Sequence, residues 1–413
     1  MPDLLERAQR AAERPTAALL HAERCLAQRG LPEPCTVCSD SCPVEAVSFD
    51  LLDAAGTHEA LGTPEPTRPR IDAEACTSCG RCVTACPTGA LGATGALADD
   101  ALLDAVQRAV RAAEAQGRAA SDGGTGDAAD PAATGTGEPD APQVVFACER
   151  KTAGGSSVGG AGLAGGASIV LPCLGWIDEA LLVHAVTAGA RIVLLPVCAC
   201  AGCPQQHAVR DLPRTAQQAQ RIIDLWELDG TVEIVDEQPE ADAGACDEAD
   251  GLSRRGLFSR ARTTIVDAAT SAAALQIEAI VGAPGSGSVA EPDRRRWQLL
   301  DDLHAAGLPA DSAVVPRALA PRVGIDIERC SGCAHCALFC PTGALRKAGK
   351  GPGGTTVLEF DAARCLDCGA CADVCRYGAL SCDESLTVSE LFALDPREMV
   401  IPKRRVLPER RRA

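Results

Sequence analysis

The chain has 413 residues, room for two to four domains at ~100–200 residues each. Hydrophobic residues make up 46%, but aromatics supply only 2%, so Ala, Val, Leu, Ile and Cys must fill the cores. With 56 acidic against 39 basic residues and a formal charge of −17, the chain lacks the basic balance that a nucleic-acid binder needs. No run of apolar residues is long enough to predict a membrane span, and the first residues do not read as an export signal. The expectation is therefore a cytoplasmic location, where 23 cysteines read as metal ligands in preference to disulfides.

In chain order, residues 1–24 read as an N-terminal helix, polar and amphipathic over Met1–Pro15. A first cysteine-rich unit spans 25–97. Residues 98–142 form an Ala-rich helix (98–120) followed by a Gly/Ala/Asp/Thr/Pro stretch with no periodicity, expected to be disordered. Residues 143–237 alternate strand and helix patterns. Strands are expected at Val144–Ala147, Ser168–Leu171, Ala190–Val197 and Val232–Val235, and helices at Ile177–Ala188 and Gln205–Trp226, with a Gly-rich loop at 153–167. That alternation predicts a small parallel α/β unit. Its cysteines fall at the carboxyl ends of strands or just beyond, where open α/β sheets place their sites. Residues 238–320 are linker and helices, with an acidic run at 236–250, an Ala-rich helix at 259–280 and a Pro/Gly/Ser stretch at 282–292. A second cysteine-rich unit spans 321–390, and 391–413 read as a basic tail.

The cysteine units are built from one repeat used four times. An apolar-Asp pair (Ile71-Asp72, Ile325-Asp326, Phe360-Asp361) precedes the first cysteine by four residues, and Gly-Ala-Leu closes each group at 89–91, 343–345 and 378–380. The first group ends in Glu-Ala-Val at 45–47, a degraded version. Cys76-x2-Cys79-x2-Cys82-x3-Cys86-Pro87 and Cys330-x2-Cys333-x2-Cys336-x3-Cys340-Pro341 have the spacing of [4Fe–4S] ligand runs. Three thiolates two residues apart wrap three corners of a cube, and the fourth cysteine reaches the partner cluster. The sets are then Cys330, Cys333, Cys336 with Cys375, and Cys365, Cys368, Cys371 with Cys340. Arg376 replaces the usual proline in the last group without removing a ligand. In the N-terminal pair, Cys76, Cys79 and Cys82 go with Cys42, while Cys35, Cys38 and Cys86 lack a fourth partner because Pro32 stands at the expected cysteine. Cys25 is the candidate for that place. The alternative is a buried thiol on the first helix, with a three-iron cluster or none at the site. Three or four [4Fe–4S] clusters follow, four if Cys25 ligates. Structural zinc competes for cysteine quartets, but zinc ribbons use two separated CxxC knuckles and not four cysteines in one short run. His335, inside a complete cysteine loop, reads as a side chain near the cluster.

Both end units resemble two-cluster bacterial ferredoxins. The middle region, on Phe146-Ala-Cys148, Pro172-Cys173-Leu-Gly175, Ala188-Gly189-Ala190 and Cys198-x4-Cys203, resembles the delta subunit of methyl-viologen-reducing hydrogenase. The resemblance implies a [2Fe–2S] cluster on Cys148, Cys173, Cys198 and Cys203, with Cys200 as an extra candidate. It also implies electron transfer between a hydrogenase or formate dehydrogenase and a heterodisulfide reductase-like partner. The chain departs from that family's pattern at Lys151, where a second cysteine is usual, and at Trp176, where an Arg is typical.

The fold class expected is α+β multidomain, with two ferredoxin-like βαββαβ-type dicluster domains flanking a small α/β parallel-sheet domain. The function expected is electron relay to a redox partner protein or within a larger oxidoreductase complex. No nucleic-acid or membrane-spanning role is expected, and no catalytic residue is identified. Two other readings stay open: a reductase acting at the middle cysteines, where Cys200-Ala-Gly-Cys203 is a CxxC pair, and an iron–sulfur redox sensor. Cys246 and Cys382 read as bystanders. Gly160-x-Gly162-x-x-Gly165 lacks the strand-then-helix context of a dinucleotide site, and Ser253-Arg-Arg-Gly-Leu-Phe258 reads as the basic start of a helix.

Overall fold

The computed structural model describes residues 19–51, 66–122, 141–149, 167–200, 203, 205–235, 293–383, 386–393 and 395–402. The readings for Met1–Pro15, the Gly-rich loop, the acidic run, the 253–258 and 259–280 segments, the 282–292 stretch and the basic residues 403–412 lie outside the described residues, as do Lys151, Cys246 and the side chain of Cys198. The chain divides into a unit of 1–239 with 289–413 and a second unit of 240–288, and the latter lies wholly outside the described residues.

The first cysteine unit uses four short strands, β1 (Leu19–Leu20), β2 (Val47–Leu51), β3 (Thr67–Ile71) and β4 (Leu91–Gly92). The outer two pair antiparallel (Leu20↔Leu91), as do the inner two (Val47↔Ile71). Leu19 and Leu20 fall in the stretch read as helix. They are a strand because Leu91–Gly92 offers a ladder to complete, so this unit begins upstream of 25.

A 24-residue helix, α1 (Asp99–Asp122), leads to the middle sheet. Leu102, Leu103, Val106, Val110 and Ala113 are buried on it at three- and four-residue spacing. The sheet has β5 (Gln143–Cys148), β6 (Ala167–Leu171), β7 (Ile192–Pro196) and β8 (Thr231–Val235) in the order β6-β5-β7-β8, all parallel. The order reverses between β5 and β7, and ligand crevices of open sheets lie at the carboxyl ends beside such a reversal. Helix α2 (Glu179–Thr187) crosses from β6 to β7 and is buried on nearly every side, because α1 and the helices Leu212–Leu225 and Arg294–Ala305 all pack around it. Helix α3 (Leu212–Leu225) joins β7 to β8. The sequence suggested a helix from Gln205. Instead a separate 3-10 turn (Gln206–Val209) comes first, and α3 starts where Pro213, which has no N–H to donate, fits a first turn.

Helix α4 (Arg294–Ala305) precedes the second cysteine unit. That unit repeats the first: β9 (Arg322–Ile325) pairs with β12 (Leu380–Asp383), and β10 (Leu345–Lys350) with β11 (Thr356–Phe360). A further strand, β13 (Arg397–Ile401), joins the other edge of β11, so part of the segment read as a basic tail belongs to the sheet. One buried apolar cluster runs from Ala93 through the middle sheet and α4 to Ile401.

Candidate metal centres

The repeat of the sequence has a backbone reason. Asp72 Oδ1 accepts from the N–H groups of Glu74 (2.8 Å) and Ala75 (3.2 Å), and Asp326 Oδ1 does the same for Glu328 and Arg329. Each Asp carbonyl then accepts from the first cysteine of its loop, Cys76 (2.8 Å) or Cys330 (2.9 Å). Past that turn the chain enters the left-handed region twice, at Ser78 and Gly80, Gly332 and Ala334, and Asp367 and Gly369. Those reversals curl three cysteines around one side of a loop, and a single helical turn carries the third away. At the other end, Gly89, Gly343 and Gly378 are also left-handed. They turn the N–H of Ala90 onto Cys86 Sγ (3.2 Å), of Leu345 onto Cys340 Sγ (3.4 Å) and of Ala379 onto Cys375 Sγ (3.3 Å).

The first group cannot form the same loop. Pro34 occupies the first left-handed position, where its ring forbids positive φ, and Thr36 occupies the second with φ −120°. Cys25 approaches from a different direction. It is buried as the residue before a short 3-10 turn (Leu26–Arg29), not within a helix.

The thiols that raise one another's pKa lie within electrostatic reach of one another, although among the described residues no three side chains stand close enough to hold a single metal ion. Cys38 has Cys86, Cys25 and Cys35 as neighbours; Cys82 has Cys79, Cys76, Cys38 and Cys42. Cys336 has Cys330, Cys333 and Cys375, and Cys365 and Cys368 both have Cys340. Each group thus draws its fourth sulfur from the neighbouring motif, and Cys25 stands with Cys35 and Cys86. Grouped thiols with backbone N–H groups turned onto sulfur have the donor chemistry that [4Fe–4S] cubes use. Burial pushes the thiol of Cys25 up to about 11 and those of Cys38, Cys82, Cys336 and Cys365 up to about 12. Iron bound by these thiols would displace their protons, so assembly would release protons and be favoured at higher pH.

In the middle unit, Cys148 ends β5, Cys173 follows β6, and Cys200 and Cys203 follow β7. Cys148 and Cys200 are both electrostatic neighbours of Cys173, whose thiol burial pushes up to about 12. The segment around Cys173 packs directly against the first cysteine unit. Cys79, Cys173 and Ala208 form one buried cluster. Trp176, fully buried, donates from Nε1 to the Ser78 carbonyl (2.9 Å), and Thr84 Oγ1 donates to the Gly175 carbonyl (3.0 Å). A Cβ on Gly175 would stand 2.6 Å from the Cys79 carbonyl, so that glycine permits the close approach. Arg81 and Asp211 pair across the same seam.

Residues 33–90 and 329–379 match the family model of a 4Fe-4S dicluster domain, and 68–129 match a second model of the same description. Both cysteine units contain 4Fe-4S dicluster sequence. The matches cover about a third of the chain and do not reach 143–237. No curated protein and no solved structure matches the chain. The domains support an iron–sulfur electron-transfer role within a mixed α/β fold with a parallel sheet. Among the described residues no helix is long and apolar enough to cross a membrane.

Three features were not readable from spacing. Cys382, read as a bystander, lines the cavity shared by Cys340, Cys365, Cys368 and Cys371. Arg29 lies within electrostatic reach of Cys340 and Cys368, and Arg296 of Cys365. Cys382 alone carried a signal, as the only cysteine of the second unit outside its motifs.

Proposed function

We propose that the chain is an electron relay, in which one-electron carriers stand in a row from the middle unit through the first cysteine unit to the second. The observation that carries this reading is contiguity. Cys173 packs against Cys79, and at the other end Leu26 and Leu31 pack on Ala370 and Val374, with Cys35 and Cys368 at the same contact. The row reads: the middle cysteines; Cys42, Cys76, Cys79 and Cys82; Cys25, Cys35, Cys38 and Cys86; Cys340, Cys365, Cys368 and Cys371; Cys330, Cys333, Cys336 and Cys375.

Each [4Fe–4S] cluster, when bound, supplies one-electron chemistry, and four thiolate ligands leave no iron position open to substrate. The protein's part is to hold sulfur and exclude water. Left-handed loop residues curl the thiols inward, and N–H groups on sulfur hold them there. A [2Fe–2S] centre on Cys148, Cys173 and Cys203, with Cys198 or Cys200, is the proposed end of the row. The proposed setting is the cytoplasm, as a subunit or partner of a hydrogenase-, formate dehydrogenase- or heterodisulfide reductase-type oxidoreductase. A partner with a basic docking face suits a chain of formal charge −17.

Iron and acid-labile sulfide per chain, measured on anaerobically purified protein, test the reading. Four cubes require about 16 iron atoms, and a middle [2Fe–2S] centre raises that to about 18. About 12 would mean that the Cys25 set is empty. Little iron with stoichiometric zinc would overturn the relay.

A further inference from the structure

Three features converge on the set formed by Cys340, Cys365, Cys368 and Cys371. Arg29 approaches from the first cysteine unit. Its guanidinium, whose pKa burial lowers, lies within electrostatic reach of Cys340 and Cys368 as well as Cys25, and it is held by donating to the Glu23 carbonyl. The apolar contact of Leu26 and Leu31 with Ala370 and Val374 keeps it there. Arg296, on α4, approaches from another element. It is buried, its Nε donates to the Ala363 carbonyl (3.2 Å), and Nη1 donates to the Leu319 carbonyl. Ala363 lies two residues before Cys365, which is the foremost charge partner of Arg296. The acids also near Arg296 have other cations: Asp293 faces Arg24 at 3.5 Å, and Asp361 pairs with Arg364 at 3.2 Å. The third feature is Cys382 on β12, which lines the same cavity as Cys340, Cys365, Cys368 and Cys371.

We infer that the cluster held by Cys340, Cys365, Cys368 and Cys371 is the most readily reduced of the row and acts as its internal electron store. The inference rests on reading that set as a [4Fe–4S] site. Reduction adds one electron and therefore one negative charge, with no bond made or broken. Two cations set close by in a poorly screened interior stabilise that charge. The thiol of Cys382, lining the same cavity, is placed to donate S–H to a ligand sulfur there, which would act in the same direction. The contrast lies within the same chain. At the Cys76 loop the neighbouring Arg81 is committed to Asp211. An electron entering from either end would therefore collect at the second cluster of the second unit, beside the contact between the two ferredoxin-type units.

The test is a dithionite titration of the full-length, anaerobically purified protein with redox mediators, followed by low-temperature electron paramagnetic resonance. Iron and sulfide are assayed on every sample, so that failure of the cluster reading shows as missing iron and not as an unmoved potential. R29Q and C382A should each lower the midpoint of the first signal to appear. The expected change for R29Q is about tenfold in the reduced-to-oxidised ratio at fixed potential, equivalent to about 59 mV for a one-electron couple, and C382A should shift it in the same direction. T356V removes the hydroxyl that donates to the Gly332 carbonyl in the Cys330 loop (3.0 Å), and should leave that signal in place. The inference is overturned if, at full iron content, the first signal ignores both R29Q and C382A or follows T356V instead. Loss of iron in C382A would overturn its role as a hydrogen-bond partner, because it would make Cys382 a ligand.

Discussion

Glu45 stands three residues after Cys42, where the other three repeats carry Gly89, Gly343 and Gly378, and it adopts the same left-handed conformation with φ 53°. A side chain there costs roughly 1–2 kcal/mol, offset in part by the greater freedom glycine gains in the unfolded chain. The strain persists because this turn still aims the Ala46 N–H at Cys42 Sγ (3.2 Å), as its counterparts do. Glu45→Gly should therefore stabilise the protein by about 0.5–1 kcal/mol, read as a higher urea midpoint; a lower midpoint would show that Glu45 makes a compensating contact. At this scale the sequence was most legible. The cysteine spacing and the Asp and Gly-Ala-Leu positions were all local, and each proves to be a backbone device a few residues long. Cys25 was legible only as the nearest spare thiol, since nothing local says that a residue ten positions before Cys35 returns to the same set.

Helices α1, α2 and α4 meet at one buried ion cluster. Arg295, 6% exposed, pairs through Nε with Asp99 at the start of α1 (2.7 Å) and through Nη1 with Asp178, the N-cap of α2 (2.5 Å). It also donates to the Trp176 carbonyl (3.3 Å). Burial alone would lower its pKa, but the two carboxylates reverse this and raise it above the normal arginine value. Removing the guanidinium strands two carboxylates against helix N-termini, whose dipoles compensate only partly. Arg295→Met should therefore cost about 3–5 kcal/mol, measured as urea unfolding by the fluorescence of buried Trp176 and Trp226. A loss under 1 kcal/mol would mean that the carboxylates find other partners. The core strands were readable as apolar runs and the helices by their periodicity. Strand β1 was not, because two leucines carry no alternation and take strand geometry only from the partner at Leu91. The Arg295 cluster was equally hidden, since Arg295 lies more than 110 residues from each carboxylate it pairs with.

The seams between units determine how the whole molecule responds to pH. A cleft lined by Cys86 of the first unit, Cys365 of the second, α2 and α4 holds two carboxyls with displaced pKa values. Burial, reinforced by neighbouring Asp178, pushes Glu179 up to about 7; burial and then Asp99 push Asp293 up to about 6. Both acids bind protons more tightly in the folded chain than in the unfolded one, where they titrate near 4. Between about pH 4 and 7 the native state therefore carries more protons, and stability must fall as pH rises. The contribution is complete below about pH 4 and is lost as pH climbs through 6 for Asp293 and through 7 for Glu179. Together the two should remove about 4 kcal/mol between pH 5 and pH 8, the larger part from Glu179. Glu179→Gln, which keeps the shape without the charge, should flatten most of that slope and be more stable than the parent at pH 8. Urea midpoints across the range measure it directly. A parent curve that rises from pH 5 to 8, or a Gln variant with an unchanged slope, would mean that the cleft stays hydrated and the carboxyls ionise freely. This response was invisible in the sequence, because Glu179 and Asp293 become neighbours of Cys86 and Cys365 only when the three parts of the chain close on one another.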